Sequence, residues 1–265
     1  MDLKTLCNKV CEVAKETGEF IRTESEGFDI SAARLKGKHD FVSYVDIEAE
    51  KRLKKQLSGL LPEAGFIGEE GVANEGANKL RWIVDPLDGT TNFMHGARVY
   101  SISIALARDN EKLLGVILDI PSNELFHAYA GGGARLNGET IKVSDASTLE
   151  DSLIATGFPF KNYERLDNYM LCLEYFIKHT HGVRRMGSAA IDLAWVACGR
   201  YDGFFEYGLN EWDVAAGAII INEAGGIISD FSGNTDRIDG TETVTSNKKL
   251  YKKFRADVYR LMKQS

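Results

Sequence analysis

The middle of the chain has the pattern of an antiparallel sheet, and this pattern limits the possible folds more than any other feature. Residues 99–107 alternate small polar and apolar side chains, Asp109-Asn-Glu-Lys112 has the composition of a turn, and residues 113–120 form a second apolar run. A third run, 124–130, ends at Gly131-Gly-Gly133. Because short connections usually join neighbouring antiparallel strands, these residues predict three consecutive strands of one sheet.

Helical periodicity flanks this sheet on both sides. Apolar residues recur at three- and four-residue spacing near the N-terminus and again in residues 47–60. Downstream, helical patterns alternate with short strand-like runs, which predicts an α/β layer in that part of the chain. The downstream helices are expected at 166–179, 188–198, 213–224 and 248–262, and the strands at 153–156 and 227–230.

These patterns predict a fold with both α+β and α/β character. We expect an antiparallel sheet with helices in the N-terminal half and a second, mixed sheet in the C-terminal half. Residues 136–152 are loop-rich and are the best candidate for a boundary. We therefore expect an N-terminal α+β domain over residues 1–145 that carries most of the candidate site, and a C-terminal α/β domain over residues 146–265.

Composition and charge disfavour several classes of protein. The 265 residues include 32 Lys and Arg against 39 Asp and Glu, a net charge of −7, whereas proteins that bind nucleic-acid backbones are normally basic. The longest apolar stretch, around residues 214–221, is far shorter than the ~20 residues that cross a bilayer. The first residues mix acid and base without an apolar signal core. The sequence predicts a soluble, cytoplasmic protein that binds neither nucleic acid nor membrane.

The cysteines give no sign of a disulfide framework. The chain has four, and Cys7 and Cys11 lie one helical turn apart. No His or second Cys pair stands near them in the sequence to complete a zinc site. We therefore expect all four to be reduced, partly buried thiols.

Acidic residues stand where apolar, strand-like runs end. The run Arg81-Trp-Ile-Val84 leads directly into Asp85, and Asp88 follows three residues later, just before Gly-Thr. Another run ends in Gly68-Glu-Glu-Gly71, and Asp213 begins a predicted helix far downstream. Each of these positions alone is typical of a turn or a helix cap, and for Asp213 capping is at least as good an interpretation.

Four of these acids would form one site if they converged: Glu69, Asp85, Asp88 and Asp213. Two unit charges ~4 Å apart cost about 4 kcal/mol at an effective dielectric of 20, so the cluster would need a cation. Oxygen ligands without His or Cys indicate a hard ion, Mg²⁺ before Ca²⁺ or Zn²⁺. Gly89-Thr90 offers backbone N–H donors for a phosphate. This combination predicts phosphoryl transfer, and the chain lacks the Gly-x4-Gly-Lys-Ser/Thr motif of P-loop enzymes.

Two longer motifs, Asp85-Pro-Leu-Asp-Gly-Thr-Thr-Asn-Phe93 and Glu211-Trp-Asp-Val-Ala-Ala-Gly217, resemble the two signatures of the inositol monophosphatase family. The resemblance implies a layered α-β-α-β-α sandwich and a Mg²⁺-dependent, lithium-sensitive phosphatase of small phosphate monoesters, usually a homodimer. It extends over nearly the whole chain. Further segments in the family order are Lys36 with Asp40-Phe-Val-Ser-Tyr-Val-Asp46, Gly68-Glu-Glu70, Gly157-Phe-Pro-Phe160 and Gly187-Ser-Ala189.

The resemblance also implies roles for individual residues. The implied metal ligands, for two or three Mg²⁺ ions that Mn²⁺ can replace, are Glu69, Asp85, the Leu87 carbonyl, Asp88 and Asp213. The implied catalytic residues, which would orient the attacking water, are Thr90, Asp46 and Glu69. The implied substrate contacts are Asp88, Gly89, Thr90, Gly187, Ser188, Ala189, Glu206 and Asp213. Supporting positions are Lys36, at the entrance, and Glu70.

Several of these residues have a simpler interpretation. Asp46 would also suit the cap of a helix that begins at Ile47. Glu70 and Glu206 would both suit solvated carboxylates at strand ends. Tyr44 stands where many relatives have a small polar residue, and it would slow the reaction if it crowded Asp46. Arg184-Arg185 is typical of a charged strand face, with contact to the substrate phosphate or to a dimer partner as the alternative.

Within the family, the resemblance favours an inositol monophosphate as substrate. Thr91-Asn92-Phe93 is of the inositol type, whereas 3′-phosphoadenosine 5′-phosphate phosphatases tend to have Lys-Glu-Phe at this point. That nucleotide, fructose-1,6-bisphosphate and histidinol phosphate remain alternative substrates. The alternative from another class is a non-catalytic regulatory relative, which would be expected to have lost a metal ligand or Thr90, and all of these residues are present.

Overall fold

The computed structural model describes residues 2–29, 34–37, 40–71, 79–159 and 162–263, with the backbone alone for 34–37 and 40–42. The helices are α1 Leu3–Ser25, α2 Tyr44–Leu60, α3 Thr90–Met94, α4 Leu166–His179, α5 Ala189–Ala197, α6 Glu211–Glu223 and α7 Lys248–Met262. The first strands are β1 Arg34–Gly37, β2 Asp40–Val42, β3 Gly65–Gly68, β4 Leu80–Asp88, β5 Ser101–Arg108, β6 Glu111–Asp119 and β7 Glu124–Tyr129. The later strands are β8 Ala134–Leu136, β9 Glu139–Thr140, β10 Leu153–Thr156, β11 Gly182–Arg184, β12 Gly203–Tyr207, β13 Gly226–Ser229 and β14 Glu242–Asn247.

The described strands form two large sheets and the small β1–β2 hairpin. The larger sheet has the order β3-β4-β5-β6-β7-β8-β9, and its neighbours are antiparallel except for the parallel pair β3–β4 at the edge. The smaller sheet has the order β11-β10-β12-β14-β13, with β10 parallel to β11 and β12 and β14 antiparallel to its neighbours. The predicted hairpin run is confirmed, and the first sheet is mixed by its one parallel pair.

Three helical layers cover these sheets. Helices α1 and α2 share a buried apolar cluster with one face of the larger sheet. Helices α5 and α6 share a second cluster with the other face of that sheet and with the smaller sheet, so they lie between the two. Helices α4 and α7 cover the outer face of the smaller sheet. The layered α-β-α-β-α sandwich implied by the resemblance is therefore confirmed.

Strand β14 is absent from the sequence prediction although it lies inside the smaller sheet, between β12 and β13. Its residues Thr243, Thr245 and Ser246 are fully buried. A polar run of this kind is typical of a loop, but the β-branched threonines fit a pleated surface. Long-range strand pairing therefore overrides local polarity here.

Among the helices that the structure describes, none combines the length and the apolar character needed to cross a membrane.

Helix α6 approaches strand β6 so closely that only glycine fits at one position. A Cβ atom on Gly115 would lie 2.6 Å from the carbonyl oxygen of Ala216 and 2.9 Å from its Cα. Gly115→Ala should therefore push α6 away and lower the free energy of unfolding by about 1–3 kcal/mol, as measured by chemical denaturation.

The control for this variant is Gly59→Ala in α2, where a Cβ would meet nothing within 4 Å. Because alanine is the better helix former, this change should leave stability unchanged or raise it by up to ~1 kcal/mol. Equal losses in the two variants would contradict the close approach of α6 and β6.

Candidate active site

The ends of two parallel strands bring the first acidic residues together. Strands β3 and β4 run side by side, and the Glu69 amide continues their pairing by donating to the Val84 carbonyl at 3.3 Å. Asp85 and Asp88 lie in the last part of β4, where the register against β5 shifts. The irregularity turns both carboxylates into one cavity, which Glu69 also lines.

Asp213 completes this cluster from the first turn of α6. The helix begins at Glu211, two residues before the predicted start, because Asn210 is its N-cap. One Asp213 oxygen accepts a hydrogen bond from the Asn210 amide at 2.7 Å, which closes a capping box. The capping interpretation of Asp213 is therefore confirmed, and the same side chain lines the cavity.

The three aspartates are close enough to share an ion. Each offers an oxygen within 4.8 Å of those of the other two. Burial, followed by Glu69, Asp88 and Asp213, raises the pKa of Asp85 well above its usual value. Burial and then Asp213 raise the pKa of Asp88 to about 7. A cluster of oxygens whose mutual repulsion is this strong fits a hard divalent cation.

Next to the cluster, the chain turns sharply at Gly89, the residue before helix α3. Gly89 has a φ of +92°, and a Cβ there would lie 2.9 Å from the Val99 carbonyl oxygen and 3.2 Å from that of Gly187. Both the backbone conformation and the close approach require glycine. The turn places Thr90 beside Leu87, whose carbonyl oxygen lies 3.0 Å from the Thr90 hydroxyl.

Thr90 and Asp46 are joined by a hydrogen bond across 44 residues of sequence. The Thr90 hydroxyl donates to Asp46 Oδ1 at 2.9 Å. The other oxygen of Asp46 accepts from the Ser43 amide at 2.8 Å and from the Ser43 hydroxyl at 2.6 Å. Helix α2 begins at Tyr44, not Ile47, and Asp46 closes its capping box from inside the first turn. Asp46 thus has two roles, since it caps the start of α2 and also accepts a hydrogen bond from Thr90.

Tyr44 does not take part in this network. Its hydroxyl donates to Glu24, and its ring lies 6.2 Å from that of Phe28 between centroids. Almost half of the Tyr44 side chain is exposed.

The turn before α5 holds Asp88 from the opposite side. Asp88 Oδ2 accepts from the Ser188 hydroxyl at 2.6 Å and from the Ala190 amide at 2.8 Å. Ser188 is also the N-cap of α5. The side-chain amide of Asn92 donates to the carbonyl oxygen of Met186 at 2.9 Å, which holds the segment just before Ser188, and to that of Val99 at 2.7 Å. Gly187, Ser188 and Ala189 all line the cavity.

The cavity has a volume of about 430 Å³ and extends from the aspartates to Glu206. Glu206 is the next-to-last residue of strand β12 and is only 7% exposed, so the interpretation of a solvated carboxylate is wrong. Burial, followed by Asp213, raises the pKa of Glu206 to about 8. A Cβ on Gly157 would lie 2.0 Å from Glu206 Oε1, so glycine at 157 makes room for the carboxylate.

The cavity also contains residues that sequence analysis missed. Asp192 in α5 is buried, and its Oδ1 has no hydrogen-bond partner among the described residues. Burial, followed by Glu206 and Asp88, raises its pKa well above the usual value. One signal was available, since Asp192 is an acid within an otherwise apolar helical run. Tyr163 and Asn92 are further lining residues, and Arg185, for which the sequence left contact with the substrate phosphate as an alternative, also lines the cavity.

Glu70, one of the two supporting residues, is not among the described residues that line the cavity. The Glu70 amide donates to Glu50 Oε2 at 2.8 Å, and the Glu70 side chain is partly buried. Lys36 lies in strand β1, whose side chains are outside the described residues. The role of Lys36 therefore stays a prediction.

Known proteins resemble this chain over nearly its whole length. A family model described as "Inositol monophosphatase family" matches residues 2–263. Nus factor SuhB of Pseudomonas aeruginosa is 40% identical over 256 residues, and the match covers 94% of each chain. Inositol-1-monophosphatase of Mesorhizobium japonicum is 40% identical over 248 residues, with 93% of each chain covered.

Among solved structures, the inositol monophosphatase of Anabaena superposes with a TM-score of 0.87 at 32% identity, over 98% of this chain and 97% of that one. The extragenic suppressor protein suhB of Bartonella henselae superposes with a TM-score of 0.88 at 37% identity, over 97% and 98%. The match of the family model over nearly the whole sequence, together with these relatives, shows that the chain belongs to the inositol monophosphatase family.

Proposed function

We propose that this chain is a Mg²⁺-dependent phosphatase that hydrolyses inositol monophosphate to inositol and phosphate. The observation that carries the proposal is the convergence of Asp85, Asp88 and Asp213 within 4.8 Å, in a cavity that ends at the buried carboxylate of Glu206. Relatives of equal identity are named inositol-1-monophosphatase and Nus factor SuhB, so similarity alone does not choose the substrate. The intact acid set supports catalysis.

The metal ligands we propose are Asp85, Asp88 and Asp213, with Glu69 and the Leu87 carbonyl completing the set. When bound, two or three Mg²⁺ ions would supply a nucleophilic water and neutralise the charge of the phosphate, and Mn²⁺ would be able to replace them. Backbone N–H groups position two of these carboxylates by hydrogen bonds. Asp85 accepts from the Leu87 amide at 3.0 Å, and Asp88 accepts from the Ala190 amide.

In the proposed reaction the water oxygen attacks phosphorus, the bond between phosphorus and the alcohol oxygen breaks, and the alcohol oxygen takes up a proton. Thr90 orients the water, because its hydroxyl proton is directed to Asp46 and its lone pairs remain to accept from water. Glu69 lines the same cavity. The amides of Gly89 and Thr90 would hold the phosphate. Electrostatic stabilisation supplies most of the rate enhancement.

In the same cavity, Glu206 and Ala189 would contact the hydroxyl groups of the alcohol, and Gly187 and Ser188 are further lining residues. Above its pKa of about 8 the buried carboxylate makes charge-assisted hydrogen bonds to hydroxyl donors, and below it the protonated acid still accepts them, which suits a polyol.

We further propose that the protein is a homodimer. Helix α4 exposes several large apolar side chains, and such patches commonly mark interaction surfaces. They are Leu166, Met170, Leu171 and Ile177.

A cytoplasmic location, the absence of nucleic-acid binding and the division at residue 145 remain predictions.

Phosphate release from a panel of substrates tests the proposed function. The panel is inositol-1-phosphate, 3′-phosphoadenosine 5′-phosphate, fructose-1,6-bisphosphate, histidinol phosphate and glycerol-2-phosphate, each with and without Mg²⁺. Inositol-1-phosphate should give the highest kcat/KM, and Asp88→Asn should abolish hydrolysis of every substrate. Near-normal turnover of Asp88→Asn in saturating Mg²⁺ would contradict the proposed metal site.

Replacing Thr90 tests the positioning of water. Thr90→Ala should lower kcat by about 10²–10³ and leave Mg²⁺ affinity nearly unchanged, since it removes one preorganised catalytic hydrogen bond. Thr90→Ser keeps the hydroxyl and should recover most of the loss, and Thr91→Ala is the control at the neighbouring position. A rise in KM with an unchanged kcat would show that Thr90 binds substrate instead.

Replacing Glu206 tests recognition of the alcohol. Glu206→Gln should lower kcat/KM for inositol-1-phosphate by about 1.5–3 kcal/mol, the worth of a hydrogen bond to a charged group. Hydrolysis of p-nitrophenyl phosphate, which has no hydroxyl group on its leaving group beyond the ester oxygen, should change much less. Equal losses on both substrates would mean that Glu206 supports the metal site.

Metal removal should make stability depend on pH through Asp88. The pKa of Asp88 is about 7 in the folded chain and 3.8 in the unfolded chain, so between these values the folded state binds a proton that the unfolded state releases. The stability that Asp88 contributes through its proton is fully present below pH ~4 and is lost as the pH rises through about 7. In EDTA, Asp88→Asn should therefore raise Tm relative to the unsubstituted chain, by at least about 2 °C at pH 7.5, the shift expected for ~1 kcal/mol.

The Tm difference between the two proteins should shrink as the pH falls towards 4. Saturating Mg²⁺ should stabilise the unsubstituted chain more than Asp88→Asn, because the variant has lost a charged ligand. A variant that melts lower in EDTA at every pH would show that the Asp88 carboxylate stabilises the metal-free fold.

A further inference from the structure

A second group of metal-ligating side chains lies on the outer face of the larger sheet, in contact with helix α1. Cys7 and Cys11 are four residues apart in α1 and therefore point from the same side of the helix. His127 reaches them from strand β7, which is paired on both sides by β6 and β8. The Cys7 sulfur lies 3.7 Å from His127 Nδ1. The sequence expectation that no histidine stands near these cysteines does not hold in space.

The geometry of the three side chains suits a tetrahedral ion. Their two sulfurs and one ring nitrogen all lie within 4.8 Å of one another. With Zn–S bonds of about 2.3 Å and Zn–N bonds of about 2.0–2.1 Å, the ligand atoms of a tetrahedral zinc site are roughly 3.5–3.8 Å apart. The distance between Cys7 and His127 already falls in this range. Small side-chain rotations would bring Cys11 to the same spacing.

The surroundings provide for a fourth ligand. A cavity of about 610 Å³ adjoins the group and is lined by Cys11 and His127. Polar side chains also line it, Asn8, Glu12 and Asn137 among them. Three protein ligands with an open position towards a cavity leave space for a water or an added ligand.

Cys7 and Cys11 differ from the other cysteines of the chain in their surroundings. Among the described residues, Cys172 and Cys198 belong to no group of three metal-ligating side chains. Zinc binds the thiolate form of cysteine, so binding at Cys7 and Cys11 would release protons.

We propose that Cys7, Cys11 and His127 form a binding site for one thiophilic divalent cation of the Zn²⁺ type, which fastens helix α1 to strand β7. The site is distinct from the cluster of aspartates in ligand type, since sulfur and imidazole select soft or borderline ions and carboxylates select Mg²⁺. Its ligands are absent from the lining of the cavity described above. The proposal therefore stands independently of the proposed phosphatase function.

Cobalt substitution tests this site without relying on activity. The full chain, reduced and handled without oxygen, is titrated with Co²⁺ in excess Mg²⁺, which keeps the aspartate cluster filled. One Co²⁺ per chain should bind with an absorption band from thiolate-to-cobalt charge transfer, and Zn²⁺ should displace it. Only sulfur ligands give this band, so Co²⁺ bound to the aspartates does not contribute to the measured absorbance. Binding without the band would overturn the proposal.

Single substitutions assign the ligands. Loss of a residue that only orients a ligand costs 10–100-fold in metal affinity, so Cys7→Ser, Cys11→Ser and His127→Gln should each weaken Co²⁺ binding at least about 100-fold. Cys198→Ser is the matched control and should bind as the unsubstituted chain does. Zn²⁺ should raise the Tm of the control and not that of the three variants.

The variants remain informative if one of them folds poorly. Cys11 and His127 border the cavity, so their substitutions disturb packing less than that of the fully buried Cys7. A band that survives His127→Gln, or one that disappears equally in Cys198→Ser, would overturn the assignment.

Discussion

Three mutually repelling carboxylates lie together beside the larger sheet, and the candidate site depends on the groups that hold them there. Each carboxylate accepts a hydrogen bond from a backbone N–H group: Asp85 from Leu87, Asp88 from Ala190 and Asp213 from Asn210. Charge-assisted bonds of this kind stabilise the ionised form and partly offset both burial and repulsion. The acids come from β4 and α6, and the donor to Asp88 comes from α5, so the site exists only when these three elements are packed together.

The middle helical layer is what brings these elements together. Its two helices, α5 and α6, contain several alanines and one glycine, so they approach their neighbours closely. A Cβ on Gly217 in α6 would lie 2.7 Å from Leu193 Cβ in α5, and one on Gly115 would meet the backbone of α6. Because α5 and α6 also pack on the smaller sheet, the layer fixes Asp213 and Ser188 relative to Asp88. Packing density in this layer therefore sets the geometry of the site.

Apolar spacing allowed the two sheets and most helices to be predicted, because it is a local property, whereas the order of the five layers was implied by the resemblance. The periodic residues of α1 and α7 and the hairpin of β5 and β6 are of this kind. Features that depend on distant pairing were missed. Strand β14 is polar and buried, and His127 meets Cys7 across 120 residues. The acid cluster was anticipated because strand ends and motifs marked its members, whereas Asp192 had only its polarity in an apolar helix.

The charge distribution along the cavity bears on the choice of substrate. Metal ions at the aspartates would neutralise one phosphate, but the same cavity also holds the buried acids Glu206 and Asp192, with Arg185 as a lining residue of opposite charge. Burial and the neighbouring carboxylates raise the pKa of both acids, so this part of the protein already disfavours negative charge. A second phosphate beside them would meet the same desolvation and repulsion. Hydroxyl groups carry no charge and would donate hydrogen bonds to both acids. This difference supports the proposal of a polyol monophosphate over a bisphosphate or a nucleotide with two phosphates.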